Sequence, residues 1–170
     1  MKGILLLTVL FTTIAANAQT ALLKSKTTIY LVRHAEKEKD KDPLLTTAGK
    51  ERAGDLYRTL EKKKIGRIYT TPYRRTIMTG DSLRVYQGID TVRYAADTLS
   101  ESLPHKIVEK SDLGKTILVI GHSNTVPALI RKLGVKDYAV KELPETEFDN
   151  LFVITYKRGK AKLKIYKYGK

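Results

Sequence analysis

Two short apolar runs in this chain stop abruptly at polar residues. Residues 27–32 and 116–120 are rich in β-branched and aliphatic side chains, and each has the length of a buried strand. The first run ends before an arginine and His34, and the second ends before a glycine and His122. Parallel strands deliver the residues that follow them to one edge of a sheet. The pattern therefore predicts that the two histidines converge if the two strands are neighbours.

Helical periodicity follows the first run. Between residues 47 and 60, apolar side chains recur three and four positions apart, which predicts one buried helix face, and Thr46 or Thr47 can cap the helix. A second helix is predicted over residues 73–85. Thr71 is its expected N-cap, with a proline at the first helical position.

Shorter elements complete the predicted order. Residues 65–69 and 90–94 read as short strands, residues 104–113 as a helix, and the stretch from Asn124 to about residue 133 as another. Alternating residues on both sides of a Lys-Arg-Gly-Lys turn predict a C-terminal hairpin at the sheet edge. The predicted fold class is α/β, a three-layer sandwich. Its central sheet is mainly parallel and is flanked by helices.

The N-terminus has the pattern of an export signal. Lys2 precedes an apolar run over residues 4–14, and an Ala-Asn-Ala sequence ends at Ala18. This pattern predicts a cleaved signal peptide over residues 1–18 and one domain over residues 19–170. The run is too short for comfortable membrane spanning, so we expect a periplasmic or secreted protein without stable membrane insertion.

Composition narrows the chemistry. The 170 residues include no cysteine, which excludes disulfides and thiolate catalysis, and three widely spaced histidines do not favour a metal site. The formal net charge of +14 attracts anions over long range. The chain has no zinc finger, no aromatic RNA-binding motif and no evident recognition helix, so we do not expect a nucleic-acid partner.

The candidate chemistry is phosphoryl transfer without a cofactor. His34 follows Arg33, His122 lies before a predicted helix, and Arg75 falls in the first turn of another. Helix N-termini and arginine forks both favour a dianionic phosphoryl group. A neutral imidazole can take up that group as a phosphohistidine, and a nearby carboxylic acid is then needed to protonate the leaving oxygen.

Four motifs in order resemble the histidine phosphatase (phosphoglycerate mutase-like) superfamily. Residues 31–36, Leu-Val-Arg-His-Ala-Glu, resemble its Arg-His-Gly motif, with alanine for the usual glycine. Residues 45–49 resemble the Leu-Thr-x-x-Gly that opens its first helix. Residues 71–79 resemble its Ser-Pro-x-x-Arg-Ala-x-x-Thr segment, and residues 121–123 its second-histidine motif.

The resemblance implies a role for each matching residue. His34 would be the phosphorylated nucleophile. The phosphate pocket would contain Arg33, Arg75, His122 and Ser123. Glu101 lies in a Leu-Ser-Glu sequence similar to the family's acid motif and would protonate the leaving group, with Glu36 as the alternative acid.

Departures from the family pattern point to a compact branch similar to small phosphohistidine phosphatases. Mutases carry a long lid insertion before the second histidine, whereas here about fifteen residues separate Glu101 from Thr116. We therefore expect an exported, metal-independent phosphatase acting on phosphomonoesters or phosphoramidates. The alternatives are a non-catalytic phosphate-binding module of the same fold and a basic nucleic-acid or surface-binding protein.

Overall fold

The computed structural model describes residues 17–97 and 99–169 of the chain. Its centre is a six-stranded sheet with the order β3-β2-β4-β1-β5-β6. The strands are β1 (Thr28–Arg33), β2 (Arg67–Thr70), β3 (Thr91–Arg93), β4 (Thr116–Gly121), β5 (Asn150–Lys157) and β6 (Lys160–Lys167). β1 to β4 run parallel to one another, β5 pairs antiparallel with β1, and β5 and β6 form the predicted antiparallel edge hairpin.

Helices cover both faces of this sheet. They are α1 (Thr47–Leu60), α2 (Arg74–Gln87), α3 (Ser102–Glu109) and α4 (Thr125–Lys132). Alternate residues of β4 divide between two cores, because successive strand side chains point to opposite faces. Leu118 packs with Leu56 and Leu83 of α1 and α2, whereas Val119 packs with residues of α3 and α4. The predicted three-layer α/β sandwich is therefore confirmed.

The start of α1 agrees with the sequence pattern, but the start of α2 does not. The Thr46 hydroxyl accepts a hydrogen bond from the Gly49 N–H at 3.0 Å, as an N-cap does. Thr71 was predicted to cap α2, and this prediction is wrong, because the N-cap is Tyr73. The Thr71 hydroxyl instead contacts His122, as described below.

The predicted signal segment lies outside the described residues except for its last two. Residues 17–24 are helical, and Leu22 is fully buried in the core that α3 and α4 share. The Gln19 amide donates a hydrogen bond to the backbone carbonyl of Lys132 at 3.0 Å. No helix within the described ranges is long and apolar enough to cross a membrane.

Candidate active site

His34 and His122 meet at the carboxyl edge of the sheet. β1 and β4 are parallel neighbours in register, with Arg33 opposite Gly121, so the residues that follow them emerge side by side. The two imidazole rings lie edge to face with their centroids 5.4 Å apart. His34 is 3% exposed and His122 is 6% exposed. The convergence predicted from two separate strands is present.

Backbone and threonine contacts fix the turn that carries His34. The His34 N–H donates to the Gly121 carbonyl at 2.9 Å, which extends the β1–β4 ladder by one step. The Ala35 N–H donates to the Thr79 hydroxyl at 3.0 Å, and that hydroxyl donates to the Arg75 carbonyl at 2.7 Å. Thr79 therefore ties the turn to the first helical turn that presents Arg75.

Glu36 closes the same turn from the α1 side. A Cβ on Gly49 would lie 2.0 Å from the Glu36 carbonyl oxygen, so only glycine permits this approach of α1. Both Glu36 carboxylate oxygens lie 2.8 Å from the Arg52 Nε. Glu36, the alternative acid in the sequence analysis, thus pairs with an arginine of α1 and orders the turn.

A hydrogen bond and burial keep the imidazole of His34 neutral and its Nε2 unprotonated. Its Nδ1 lies 2.8 Å from the Ala35 carbonyl oxygen, which can only accept, so Nδ1 carries the proton and Nε2 keeps its lone pair. Burial, opposed by this hydrogen bond and reinforced by the charges of Arg33 and Arg75, lowers the pKa of His34 to about 4. At neutral pH its imidazole is therefore uncharged.

His122 is held by a threonine pair beneath it. Its Nε2 lies 2.9 Å from the Thr71 hydroxyl, which lies 2.9 Å from the Thr76 hydroxyl. His122 Nδ1 is buried and has no hydrogen-bond partner among the described residues. Burial first, and then the positive charges of Arg75 and Arg33, lower the pKa of His122 to about 3.

Two arginines add positive charge with unused donors. The Arg33 guanidinium lies over the Phe148 ring at 4.2 Å, and the Arg75 guanidinium lies over the Tyr73 ring at 4.4 Å. The Nε atoms of both arginines are buried without a partner in the described part of the chain. The nearest carboxylate oxygen to Arg75 is that of Asp42, at 3.9 Å. A buried donor without a partner is costly, so the arrangement favours binding of an anion.

A cavity of about 320 Å³ joins these groups. The predicted site residues that line it are Arg33, His34, Arg75, His122 and Ser123. Glu101, the predicted acid, is not among the lining residues that the structure describes. Its carboxylate pairs with the Lys132 ammonium of α4 at 2.5 Å, away from the two histidines. The structure thus brings five of the predicted residues together and places Glu101 elsewhere.

Sequence reasoning missed the acidic side of this cavity. Glu142 and Glu145 line it from the segment between α4 and β5, and the Ser123 hydroxyl lies within 3.1 Å and 3.3 Å of their carboxylates. The available signal was a cluster of four carboxylates over residues 142–149 in a chain with a strong positive charge. Within the described ranges, no group of three or more histidine or acidic side chains is placed to hold a metal ion.

Comparison with protein families supports the motif analysis. Residues 29–102 match the model of the histidine phosphatase superfamily (branch 1), and the match contains the first three motifs quoted above. The resemblance to this superfamily is therefore confirmed. No curated protein sequence matches the chain.

Solved structures show the same fold at low sequence identity. YhfR of Bacillus stearothermophilus is 18% identical with a TM-score of 0.65, over 82% of this chain and 96% of that one. The protein histidine phosphatase SixA complexed with tungstate is 18% identical with a TM-score of 0.60, over 82% and 96%. A phosphoserine phosphatase of Entamoeba histolytica, complexed with 3-phosphoglyceric acid, is 14% identical with a TM-score of 0.62, over 85% and 97%.

Proposed function

We propose that this chain, which carries the histidine phosphatase family match over residues 29–102, is a metal-independent phosphatase that works through a phosphohistidine on His34. Its substrates are phosphomonoesters or phosphoramidates. The carrying observation is the pair of buried neutral histidines between two arginines whose Nε donors have no partner among the described residues. Apolar packing does not explain that arrangement, whereas a bound phosphoryl dianion would satisfy it.

The tautomer of His34 supports its role as nucleophile. The Ala35 carbonyl holds the proton on Nδ1, which leaves the Nε2 lone pair free to attack phosphorus. The bond from phosphorus to the leaving oxygen then breaks, and Nε2 carries the phosphoryl group. The developing imidazolium is stabilised by the same carbonyl. Water subsequently cleaves the phosphorus–nitrogen bond and restores neutral His34 with release of inorganic phosphate.

Arg33 and Arg75 supply the positive charge that this step requires, and the neutral His122 lines the same cavity. The loose transition state of phosphoryl transfer spreads negative charge over three oxygens, and positioned arginines stabilise it. A metal ion is therefore not needed to offset the charge. Ser123 lines the same cavity, where its hydroxyl bonds the carboxylates of Glu142 and Glu145.

The proposal includes export. A basic residue, an apolar run and an Ala-x-Ala sequence precede the folded domain, as in a cleaved signal peptide. N-terminal sequencing of protein recovered from the cell envelope should begin at Gln19. A first residue of Met1 on the recovered protein would contradict cleavage.

The test compares His34→Ala with wild type on an aryl phosphate in the presence of a chelator. We expect wild-type turnover that the chelator leaves unchanged and that His34→Ala lowers by more than about 10³-fold. His105→Ala is the matched control, because His105 lies on α3 and is not among the cavity residues. Denatured wild type, trapped during turnover, should carry an acid-labile phosphoryl group that the variant lacks.

The same experiment separates the enzyme from a phosphate-binding module. If inorganic phosphate binds but no ester or phosphoramidate is turned over by wild type, the module is correct and the proposed reaction is wrong. The placement of Glu101 outside the cavity is the observation that keeps this candidate in the test.

A further inference from the structure

Two carboxylates, and neither of the two predicted acids, line the cavity in the described structure. Glu36 pairs with Arg52 and Glu101 pairs with Lys132, so both carboxylates are engaged elsewhere. The lining carboxylates belong to the segment of residues 142–149, named here the acidic segment. Phosphate-ester hydrolysis needs a group that protonates the leaving oxygen. The acidic segment is therefore the place to look for it.

Arg33 fixes the acidic segment over the cavity. Its Nη1 donates to the Pro144 carbonyl at 2.8 Å, and its guanidinium stacks on the Phe148 ring. Its Nη2 donates to the Glu145 carboxylate at 2.7 Å. One side chain thus contacts the segment at Pro144, Glu145 and Phe148, and Glu145 is paired with the arginine that adjoins the nucleophile.

Glu145 and Glu142 differ in what they contact. Glu145 bonds both Arg33, which adjoins His34 in the chain, and the Ser123 hydroxyl. Among the residues described, Glu142 bonds only the Ser123 hydroxyl. Glu145 is also 75% exposed, so solvent protons and water reach it freely. Of the two carboxylates, Glu145 has the contacts that the leaving-group side of the reaction requires.

We infer that Glu145 is the acid and base of this active site: it protonates the leaving oxygen and later activates the hydrolytic water. This inference rests on the proposed function. It replaces Glu101 with a residue from the segment between α4 and β5, which the sequence motifs do not single out. The carboxylate also occupies the Arg33 position that a substrate phosphoryl group would take.

The proton count of the reaction is complete. A substrate bound as its monoanion carries one proton on a phosphoryl oxygen, and that proton passes to the Glu145 carboxylate when the arginines take the dianion. As His34 Nε2 bonds to phosphorus, the phosphorus–oxygen bond breaks and the leaving oxygen receives the Glu145 proton. In the second step Glu145 removes a proton from the attacking water, and the phosphorus–nitrogen bond breaks. That proton then passes from Glu145 to the inorganic phosphate, which leaves as its monoanion and restores the carboxylate.

Substrate binding favours the protonated form of Glu145, which the reaction needs. In the free protein the hydrogen bond from Arg33 lowers the pKa of Glu145, which makes it a carboxylate and a poor acid. A phosphoryl dianion at Arg33 removes part of that hydrogen bond and adds a nearby negative charge. Both changes favour the protonated form, so the acid is generated where the phosphate binds.

The decisive experiment varies the leaving group. An activated aryl ester departs without help, whereas a simple alkyl ester needs a proton on its oxygen. We expect Glu145→Gln to lower kcat/KM for an alkyl phosphate by about 10²- to 10⁴-fold, the usual contribution of general acid catalysis, and for the activated ester by far less. Glu147→Gln is the matched control, because its carboxylate contacts Asn150 and Lys167, outside the cavity.

Each remaining outcome overturns the inference. An equal loss of kcat/KM on both esters would show that Glu145 supports the site without transferring a proton. A lower KM on both esters with unchanged kcat would make Glu145 a competitor of phosphate at Arg33 only. A leaving-group-dependent loss in Glu101→Gln, with none in Glu145→Gln, would assign the acid to Glu101.

Failure of the proposed function gives a different result. If wild type turns over neither ester, the reaction itself is absent and the role of Glu145 falls with it. If wild type forms the acid-labile phosphoprotein and only the leaving-group pattern is missing, the reaction stands and the assignment of Glu145 is wrong. Titration of each variant with inorganic phosphate confirms that the cavity is intact.

Discussion

Two buried polar clusters occupy opposite ends of the same sheet, and they differ in how completely their atoms are bonded. The Asp112 cluster, defined by Arg67, Tyr69, Asp112 and Lys115, lies where β2 and β4 begin. The site cluster, defined by Arg33, His34, Arg75 and His122, lies where β1 and β4 end. Each brings charged side chains into the protein interior.

The Asp112 cluster is fully paired. Its carboxylate is completely buried and accepts from the Tyr69 hydroxyl at 2.6 Å, the Lys115 ammonium at 2.7 Å and the Arg67 Nε at 3.1 Å. Burial alone would raise the pKa of Asp112, but these three donors lower it. The three donors compensate the desolvation of this buried charge and commit the carboxylate to contacts within the fold.

The site cluster, in contrast, is incompletely bonded. It places like charges together and leaves buried nitrogens of Arg33, Arg75 and His122 without partners among the described residues. Burial first, and then the positive charges of the neighbouring arginines, lower the pKa values of both histidines. The difference teaches that incomplete bonding, more than burial or charge, separates a binding site from a structural network.

Removal of Arg75 should give the largest effect on activity. We expect Arg75→Met to lower kcat/KM by about 10³-fold, since a positioned arginine stabilises the charge of the transferring phosphoryl group. The free energy of unfolding should not fall, because the substitution relieves repulsion in the site cluster. Arg74→Met is the control, since Arg74 is exposed and is not among the cavity residues. Steady-state kinetics with urea unfolding measures both quantities, and equal kinetic losses in the two variants would contradict the assignment.

Removal of Asp112 should reverse that pattern. We expect Asp112→Ala to lower the free energy of unfolding by about 3–5 kcal/mol, since it leaves buried donors without their acceptor. At temperatures below its Tm, where the variant is folded, it should keep the kcat and KM of wild type. Asp90→Ala is the control: Asp90 also pairs with Arg67, but it is 84% exposed, so its loss should cost less than about 1 kcal/mol. A loss of kcat in folded Asp112→Ala would show that the two clusters are coupled.

Inorganic phosphate should stabilise the folded protein by binding at the site cluster. A ligand at about 100 times its Kd stabilises the folded state by about 2.7 kcal/mol, which appears as a higher Tm. We expect this increase in wild type and in Asp112→Asn, and none in Arg75→Met. Thermal unfolding with and without phosphate, at constant ionic strength set by chloride, measures it. An equal increase in Arg75→Met would place the bound anion elsewhere.

Lower pH should destabilise the folded protein through His34. Its pKa is about 4 when folded against an ordinary 6.5, so the unfolded chain binds more protons between these values and the free energy of unfolding falls as pH falls. For His34 alone the loss between pH 7 and about pH 5 is about 2 kcal/mol. His34→Asn should lack this part of the loss. Urea unfolding of both proteins over this range tests it, and parallel pH profiles would show that burial does not lower the pKa of His34.

The sequence predicted the convergence of His34 and His122 because a strand pattern ends at each, and the order of motifs placed Arg75 in the first turn of α2. The capping of that helix was not predictable. Thr71 has the right residue type and position for an N-cap, but a long-range hydrogen bond to His122 takes its hydroxyl. A contact across 51 positions leaves no trace in local periodicity.

The assignment of the general acid shows the same limit of local sequence patterns. Glu101 matches a local motif, yet the helix it precedes directs its carboxylate to Lys132 of α4. Glu145 matches no motif, and only the folded path of the acidic segment over Arg33 brings it to the cavity. Sequence patterns located the strand ends well, whereas residues delivered by irregular segments required the structure.

The smallest predicted effect concerns Thr76, which stands where the family pattern has alanine. Its hydroxyl has two backbone acceptors, the Tyr73 carbonyl at 2.8 Å and the Thr71 carbonyl at 3.0 Å, so we expect it to accept from the Thr71 hydroxyl. In that arrangement we expect Thr71 to accept from His122, with the imidazole proton on Nε2 and no proton on Nδ1. Nitrogen-15 NMR of the imidazoles should show this tautomer in wild type.

Thr76→Ala removes the acceptor that orients the Thr71 hydroxyl, so that hydroxyl can also donate to His122 and admit the other tautomer. We expect a mixed tautomer signal and a kcat/KM lower by about five-fold, the factor for one hydrogen bond of about 1 kcal/mol. Thr76→Ser keeps the hydroxyl and should restore both the single tautomer and the rate. A wild-type His122 protonated on Nδ1 would contradict this order of hydrogen bonds from His122 through Thr71 to Thr76. An unchanged tautomer in Thr76→Ala would show that Thr71 orients His122 without help from Thr76.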